Sequence, residues 1–255
     1  MMSNNRPFSE YIRHVMRNDR NELGMIINDK IRVKEYCDAK LDPVVVDELF
    51  RHRIYAGYTP EVALASITPP CVIRLNNGWH KMKFIFNHHD IAKKIDLATL
   101  KHWQAQKWTS AEWSYRQIVP GFTVERMLPP VHNLFKLFIF HGKVKYVWAQ
   151  RYDVSSGRIG QLGCTMYTPD WQKLPVQWNK VKMIDFDRPE RLDQMIRIAE
   201  LLYDKAWQFM RVDLYCNQDE IRFSEMMQYH AGGTNGFGEW DYELGKHIDW
   251  SEVTV

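Results

Sequence analysis

Residues 209–226, FMRVDLYCNQDEIRFSEM, set Arg211, Asp213 and Glu225 inside two apolar runs. The runs read as strands joined by a polar turn over 216–220. Alternate residues of a strand share a face, so Arg211, Asp213 and Tyr215 lie together on the first, and Phe223 and Glu225 on the second. Pairing Tyr215 with Ile221 sets Asp213 against Phe223 and Arg211 against Glu225. The two acids then become diagonal neighbours, roughly 7–8 Å apart at the backbone. Charges buried in a sheet are costly unless paired or bound to a metal. The stretch is therefore either an ion-pair lattice around Arg211 or a site. In the second case two hard carboxylates hold Mg²⁺ and Arg211 faces a phosphoryl group.

The remaining composition narrows the classes open to the chain. Its 255 residues suffice for one large domain or two to three lobes. A net charge of +3 is too mild to argue for nucleic acid, yet suits an anionic small molecule or weak peripheral contact with a membrane surface. Cys37, Cys71, Cys164 and Cys216 are scattered without a CxxC, which argues against zinc and for a reducing compartment. The polar opening MMSNNRPFSEYIRHVMRNDR has no apolar core of a signal peptide, and lysines interrupt the most apolar piece, LFKLFIFHGKVKYVW. No transmembrane segment is expected, and the cytoplasm is the expected location.

Helical spacing marks residues 8–18, a segment capped by Asn28 or Asp29, LATLKHWQAQKW and PERLDQMIRIAELLYDKAW. DPVVVDEL and ITPP mark a boundary. Strand pairs are expected around Asn76-Asn77-Gly78 and around His141-Gly142, with a short strand in GFTVERML. Hairpins alternating with helices give an α+β chain with largely antiparallel sheets. Arg74 stands just before the Asn76 turn, whose backbone N–H groups suit an anion. Lys136 lies within an apolar strand and either snorkels outward or points at a phosphate. The sequence contains no P-loop, protein-kinase set, GxSxG or HExxH.

Several of these pieces, in this order and spacing, resemble the TupA-like branch of the ATP-grasp superfamily. They are DKIRVKEY, VIRLNNG, EWSYRQIVPGFTVERML, LFKLFIFHGK, MRVDLY with the later SEM, and EWDYELG, together covering residues 28–250. The resemblance implies an ATP-grasp fold, two α+β lobes gripping a nucleotide. It divides the chain into an N-terminal helical, substrate-side region (1–68), a small lobe (69–128) and a large lobe with the metal site (129–255). Asp213 and Glu225 become Mg²⁺ ligands. Arg211 becomes the catalytic cation, Lys136 a phosphate contact, and Arg74, Asn76, Gly78, Glu125, Met127 and Leu128 the remaining ATP-binding residues. The chain departs from the pattern at Arg74 (usually lysine), at Leu134 (usually an acid), at Trp79 and His80 (usually small) and at Ser224 (usually glycine). Met227 stands where many ATP-grasp enzymes offer an asparagine ligand, leaving Gln228 or water to substitute.

A carboxylate resists amines near neutral pH because its leaving group would be oxide; an acyl phosphate does not. The implied activity is an ATP- and Mg²⁺-dependent carboxylate–amine ligase, joining an amino acid to a sugar-derived group or another amino acid in surface-polysaccharide biosynthesis. Its partners are a small-molecule carboxylate and an amine. Two alternatives stay open: a small-molecule kinase, which needs no amine, and a non-catalytic ATP-binding scaffold.

Overall fold

The computed structural model describes residues 6–77, 81–107 and 111–253. Four helices open the chain: α1 (Phe8–Asn18), α2 (Leu23–Ile27), α3 (Val33–Lys40) and α4 (Pro43–Phe50). Then come β1 (Arg53–Gly57), α5 (Pro60–Ala65), β2 (Cys71–Leu75), β3 (Met82–Ile85), α6 (His88–Lys94), α7 (Leu97–Ala105), α8 (Trp113–Gln117) and β4 (Phe122–Arg126). The second half holds β5 (Val131–Phe140), β6 (Lys143–Asp153), β7 (Gly160–Tyr167), α9 (Leu192–Leu202), β8 (Phe209–Cys216), β9 (Ile221–Met227) and α10 (Trp240–Gly245). The fold is α+β, with two antiparallel sheets ordered β1-β4-β2-β3 and β7-β6-β5-β8-β9.

Local chemistry explains most of these elements. β5 and β6 are joined by a two-residue turn in which His141 and Gly142 both have positive φ, 48° and 80°. Such a turn matches the right-handed twist of its strands and favours glycine at its second position. DPVVVDEL, expected to mark a boundary, is instead α4. The Asp42 carboxylate caps the helix by accepting from Val44 N at 2.9 Å, and Pro43 occupies the first turn, where no N–H is needed. Val46, Leu49 and Phe50 then point inward. The helix expected to be capped by Asn28 or Asp29 starts at Val33; Asp29 closes the turn before it by accepting from Ile31 N at 2.8 Å.

Each sheet has its own core. Cys71, Ile73 and Leu75 of β2, Ile85 of β3, and Phe122 and Val124 of β4 pack with Ala63, Ile95 and Leu100 from the adjoining helices. The larger core covers one face of the five-stranded sheet with α9 and gathers in α1, α3, α4 and α10. Residues 6–50 thus pack with the larger sheet, while β1 and α5 join the smaller one.

The two ends of the described chain meet in this larger core. Asp241 of α10 accepts from the backbone N and Oγ of Ser9 (3.1 and 2.5 Å), so a carboxylate from the far end caps the first turn of α1. Gly245 lets the Arg6 carbonyl approach so closely that a Cβ would overlap it. Gly245→Ala is therefore expected to cost about 3 kcal/mol, the upper end of overpacking penalties. Gly238→Ala, at φ 60° but facing open space, should cost about 1 kcal/mol for the left-handed backbone alone. Urea unfolding of the two variants checks the difference.

Candidate active site

The two sheets face each other across a cleft of about 450 Å³. Strand alternation selects its walls. Val72 and Arg74 of β2 and Met82 and Phe84 of β3 line it, while Cys71, Ile73 and Leu75 turn to the small core. On the larger sheet, His132, Leu134 and Lys136 alternate along β5, opposite Tyr215 and Asp213 of β8.

The β8–β9 register differs from the expected one. Cys216 pairs with Ile221, Tyr215 with Arg222 and Leu214 with Phe223; Asp213 then pairs directly with Glu225. The extra residue, Ser224, forms a β-bulge. The Asn217 side chain fixes the turn by accepting from Asp219 N and Glu220 N, both at 2.9 Å. The bulge separates two residues that simple alternation keeps together. Phe223 enters the core against Phe50, while Glu225 pairs with the buried Asp213 and lines the cleft.

Arg211 organises this pair. Its Nε donates to Asp213 Oδ1 at 2.6 Å, and its NH2 donates to both Asp213 Oδ2 (2.8 Å) and Glu225 Oε1 (3.1 Å). The carboxylates thus converge on a single nitrogen. NH1 meets His230 Nδ1 at 2.9 Å, and burial pushes His230 well below its ordinary pKa, so the ring is neutral and its Nδ1 accepts. With so many donors engaged and only 4% exposure, Arg211 acts by positioning the two acids; it does not line the cleft. Lys136 does line it, with Nζ 3.4 Å from Asp213 Oδ2 and over the Trp148 ring.

Burial opposes charge on both acids, and their surroundings separate them. For Glu225 the cations Lys30, Arg211 and Lys136 outweigh burial and hold the carboxyl at about 2. For Asp213, burial and the neighbouring Glu225 charge outweigh Arg211 and Lys136 and push it up. Glu225 is the firmer anion of the pair, and at 24% side-chain exposure also the more accessible.

A second charged cluster sits on the smaller sheet. Arg74 NH2 donates to both oxygens of Glu125 (2.9 and 2.7 Å), with His52 and Arg53 3.7 and 3.8 Å away. Burial raises the Glu125 carboxyl, but Arg74, His52 and Arg53 together hold it well below the ordinary range. Met127 and Leu128 line the cleft next to it. Asn76 does not reach the cleft lining. Its amide donates to Asp29 Oδ1 (2.8 Å) and Val119 O (3.0 Å), and its carbonyl accepts from Gly121 N (2.7 Å). Gly78, Trp79 and His80 lie outside the described residues. Gln228 accepts from Asn28 at 3.1 Å in a fully buried position, so its oxygen is spent away from the acids.

Sequence reasoning gave Lys30 and His230 no role. Lys30 lines the cleft although only 5% exposed, and His230 braces Arg211. Neither carries a strand or helix period that would reveal it.

The acids fit Mg²⁺. Two hard carboxylates paired side by side on β8 and β9 match the one or two that Mg²⁺ takes beside substrate phosphates. Among the described residues, no cluster of three or more His, Cys, Asp or Glu side chains offers an all-protein cage. Lys30, Arg74, Lys136 and Arg211 outnumber Asp213, Glu225 and Glu125 among these groups, which favours an anionic guest.

The chain belongs to the TupA-like ATP-grasp family, whose sequence profile matches residues 72–249. The two facing antiparallel sheets are the lobes of that fold. No functionally curated protein matches the sequence. Among solved structures, the chain is similar to D-alanine–D-alanine ligase from Bacillus anthracis in complex with ATP, at 12% identity, TM-score 0.46, over 88% of this chain and 65% of that one. It is also similar to the ATP-grasp ligase PsnB in complex with a minimal precursor, at 12% identity, TM-score 0.45, over 92% and 63%. The L-amino acid ligase from Bacillus licheniformis matches at 10% identity, TM-score 0.45, over 81% and 44%. The chain therefore spans less than two thirds of the length of each. Among the described residues no helix is long and apolar enough to cross a membrane.

The Glu125 carboxyl is held below its unfolded pKa. Its stabilising contribution is complete above that unfolded value and is lost as pH falls through the depressed folded one. Glu125→Gln is expected to cost about 3–5 kcal/mol at neutral pH by leaving Arg74 buried and unpaired. It should also flatten the acid limb of the stability curve, which thermal unfolding from neutral to acid pH checks.

Proposed function

We propose that the protein is an ATP- and Mg²⁺-dependent ligase that joins a carboxylate to an amine through an acyl phosphate. The observation that carries this reading is the pairing of Asp213 with Glu225 across β8 and β9, with Glu225 and Lys136 lining the charged end of a cleft with apolar walls. The nucleobase fits between Val72, Met82 and Phe84 on one sheet and Leu134 and Tyr152 on the other, beside Met127 and Leu128. The phosphates then run along β5 toward Lys136, roughly 13 Å beyond His132 at strand spacing. Asp213 and Glu225 would hold Mg²⁺, which neutralises charge between the terminal phosphates. Lys136 offers three donors to phosphate oxygens, and Arg211 keeps both carboxylates aimed.

In the reaction, a carboxylate oxygen attacks the terminal phosphorus and ADP leaves. The amine attacks the acyl carbon, phosphate leaves, and the amine nitrogen loses a proton. Positioning and charge stabilisation are the protein's contributions. We take residues 69–128 and 129–255 as the gripping lobes, and 1–68 as the substrate-side region that also lends β1 and α5 to the smaller sheet. An amino acid joined to a sugar-derived group or another amino acid, cytoplasmic placement and a surface-polysaccharide pathway complete the proposal; all three rest on the family's usual setting.

A second reading draws on the Arg74–Glu125 clasp and on Met227, whose thioether replaces an oxygen ligand. If Arg74 stays locked, the protein binds ATP as a scaffold without turnover. Calorimetry of ATP binding with and without Mg²⁺ separates these possibilities. Mg²⁺ is expected to tighten binding by about tenfold or more, on the order of 1.4 kcal/mol, and Asp213→Asn with Glu225→Gln to abolish that gain. ADP release on addition of an acid and an amine would then establish the ligase. Mg²⁺-dependent binding without ADP release from any pair would support the scaffold, and the absence of any Mg²⁺ effect would remove the metal site.

A further inference from the structure

We propose that the cavity between α3 and β1 is a second ligand site, in which the Arg53 guanidinium takes the carboxylate of a small molecule with an apolar body. The inference goes beyond the ligase reading and does not depend on it.

The cavity has a volume of about 420 Å³ and shares no lining residue with the cleft between the sheets. β1 is the outer strand of the smaller sheet. Ile31, Phe50, Ile54 and Ala56 give the cavity an apolar wall, and Arg53 lies among them.

Arg53 is the group that lacks a partner. Its side chain is only 8% exposed, and its Nε is buried without a hydrogen bond. Among the described residues the guanidinium is held by a 3.8 Å ion pair from Nε to Glu125 Oε1 and by the Phe50 ring, 4.3 Å from Cζ. Glu125 has little more to offer, because both of its oxygens already accept from Arg74. A guanidinium carries five N–H donors, and burying it without acceptors is unfavourable. Burial pulls the Arg53 pKa down to about 10, so the group still carries its charge at neutral pH.

The other charges around the cavity are matched. Asp38 accepts from Lys34 at 2.8 Å, and Glu35 stands 3.6 Å from Arg32. At Glu125, by contrast, two guanidiniums share one carboxylate. An anion at Arg53 would balance that excess. Phe50 covers one face of the guanidinium, and the N–H groups lie at its edge, where a carboxylate accepts two of them in parallel. A bare inorganic anion would leave the apolar wall uncovered, so the structure favours a carboxylate with a hydrocarbon body.

The alternative is that Arg53 only steadies Glu125, with water on its outer donors. Ligand-observed NMR on the full chain separates the two, with isocaproate, its neutral amide isocaproamide and inorganic phosphate as probes. We expect isocaproate to bind with a Kd on the order of 1 mM and isocaproamide to bind at least about tenfold more weakly. Arg53→Met removes the charge, while Ile54→Asp leaves the guanidinium in place and sets a like charge beside the guest. Each should weaken isocaproate by about tenfold, and Ile54→Asp decides the matter if Arg53→Met does not fold. Saturating Mg²⁺-ATP should change isocaproate binding by less than about threefold. Equal binding of acid and amide, phosphate binding as tightly as isocaproate, or no saturable binding at all would overturn the assignment. Displacement of isocaproate by Mg²⁺-ATP, or binding unaltered in Ile54→Asp, would place the probe elsewhere and overturn it as well.

Discussion

The charged end of the cleft depends on one guanidinium. Arg211 holds Asp213 through two hydrogen bonds and Glu225 through a third, inside a sheet whose other groups are mostly apolar. Without a shared counter-charge, two carboxylates on paired strands would repel each other and carry the full cost of burial. With it, they face the same point. His230 sets the guanidinium plane through Nδ1, and the aromatic rings of Phe237, Trp178 and Trp148 pack around His230. The two acids are thus held side by side by a buried organic cation.

The opening alternatives, an ion-pair lattice or a site, turn out not to exclude each other. The lattice fixes both carboxylates while Glu225 stays partly open to the cleft. A similar economy governs the smaller sheet, where Glu125 keeps Arg74 oriented toward the cleft. The two clusters differ in depth of commitment. Arg74 is gripped by both oxygens of one carboxylate, whereas Glu225 retains partial exposure.

The acids, Arg211, Lys136 and both central hairpins were legible because charged residues interrupt apolar, period-two runs. Their exact register was not. Ser224 carries no glycine or proline to announce a bulge, yet that one residue decides whether Glu225 faces the cleft or the core. The Arg74–Glu125 pair depends on β2 lying beside β4, a pairing between segments some fifty positions apart that alternation alone cannot reveal. β1 and β7 escaped notice for a related reason: β1 is only half-buried and β7 opens on exposed residues, so neither shows a clean apolar face. Asn76 illustrates the opposite error. A polar turn residue near a binding strand invites a ligand role, but its amide is consumed in stitching three segments together.

The Asp241 cap on α1 joins groups separated by 232 positions. Loop-closure entropy rises only slowly with length, so a contact of this span costs little more to close than one half as long. α1 also packs beside His230, with Phe8 6.1 Å from that ring, and Arg13 donates to Gly233 O at 2.6 Å. The helix that this cap anchors therefore lies against the residue that steadies Arg211. Undocking of α1 would free the 230–233 segment, so the placement of Asp213 and Glu225 is tied, through His230 and Arg211, to a cap from the far end of the described chain.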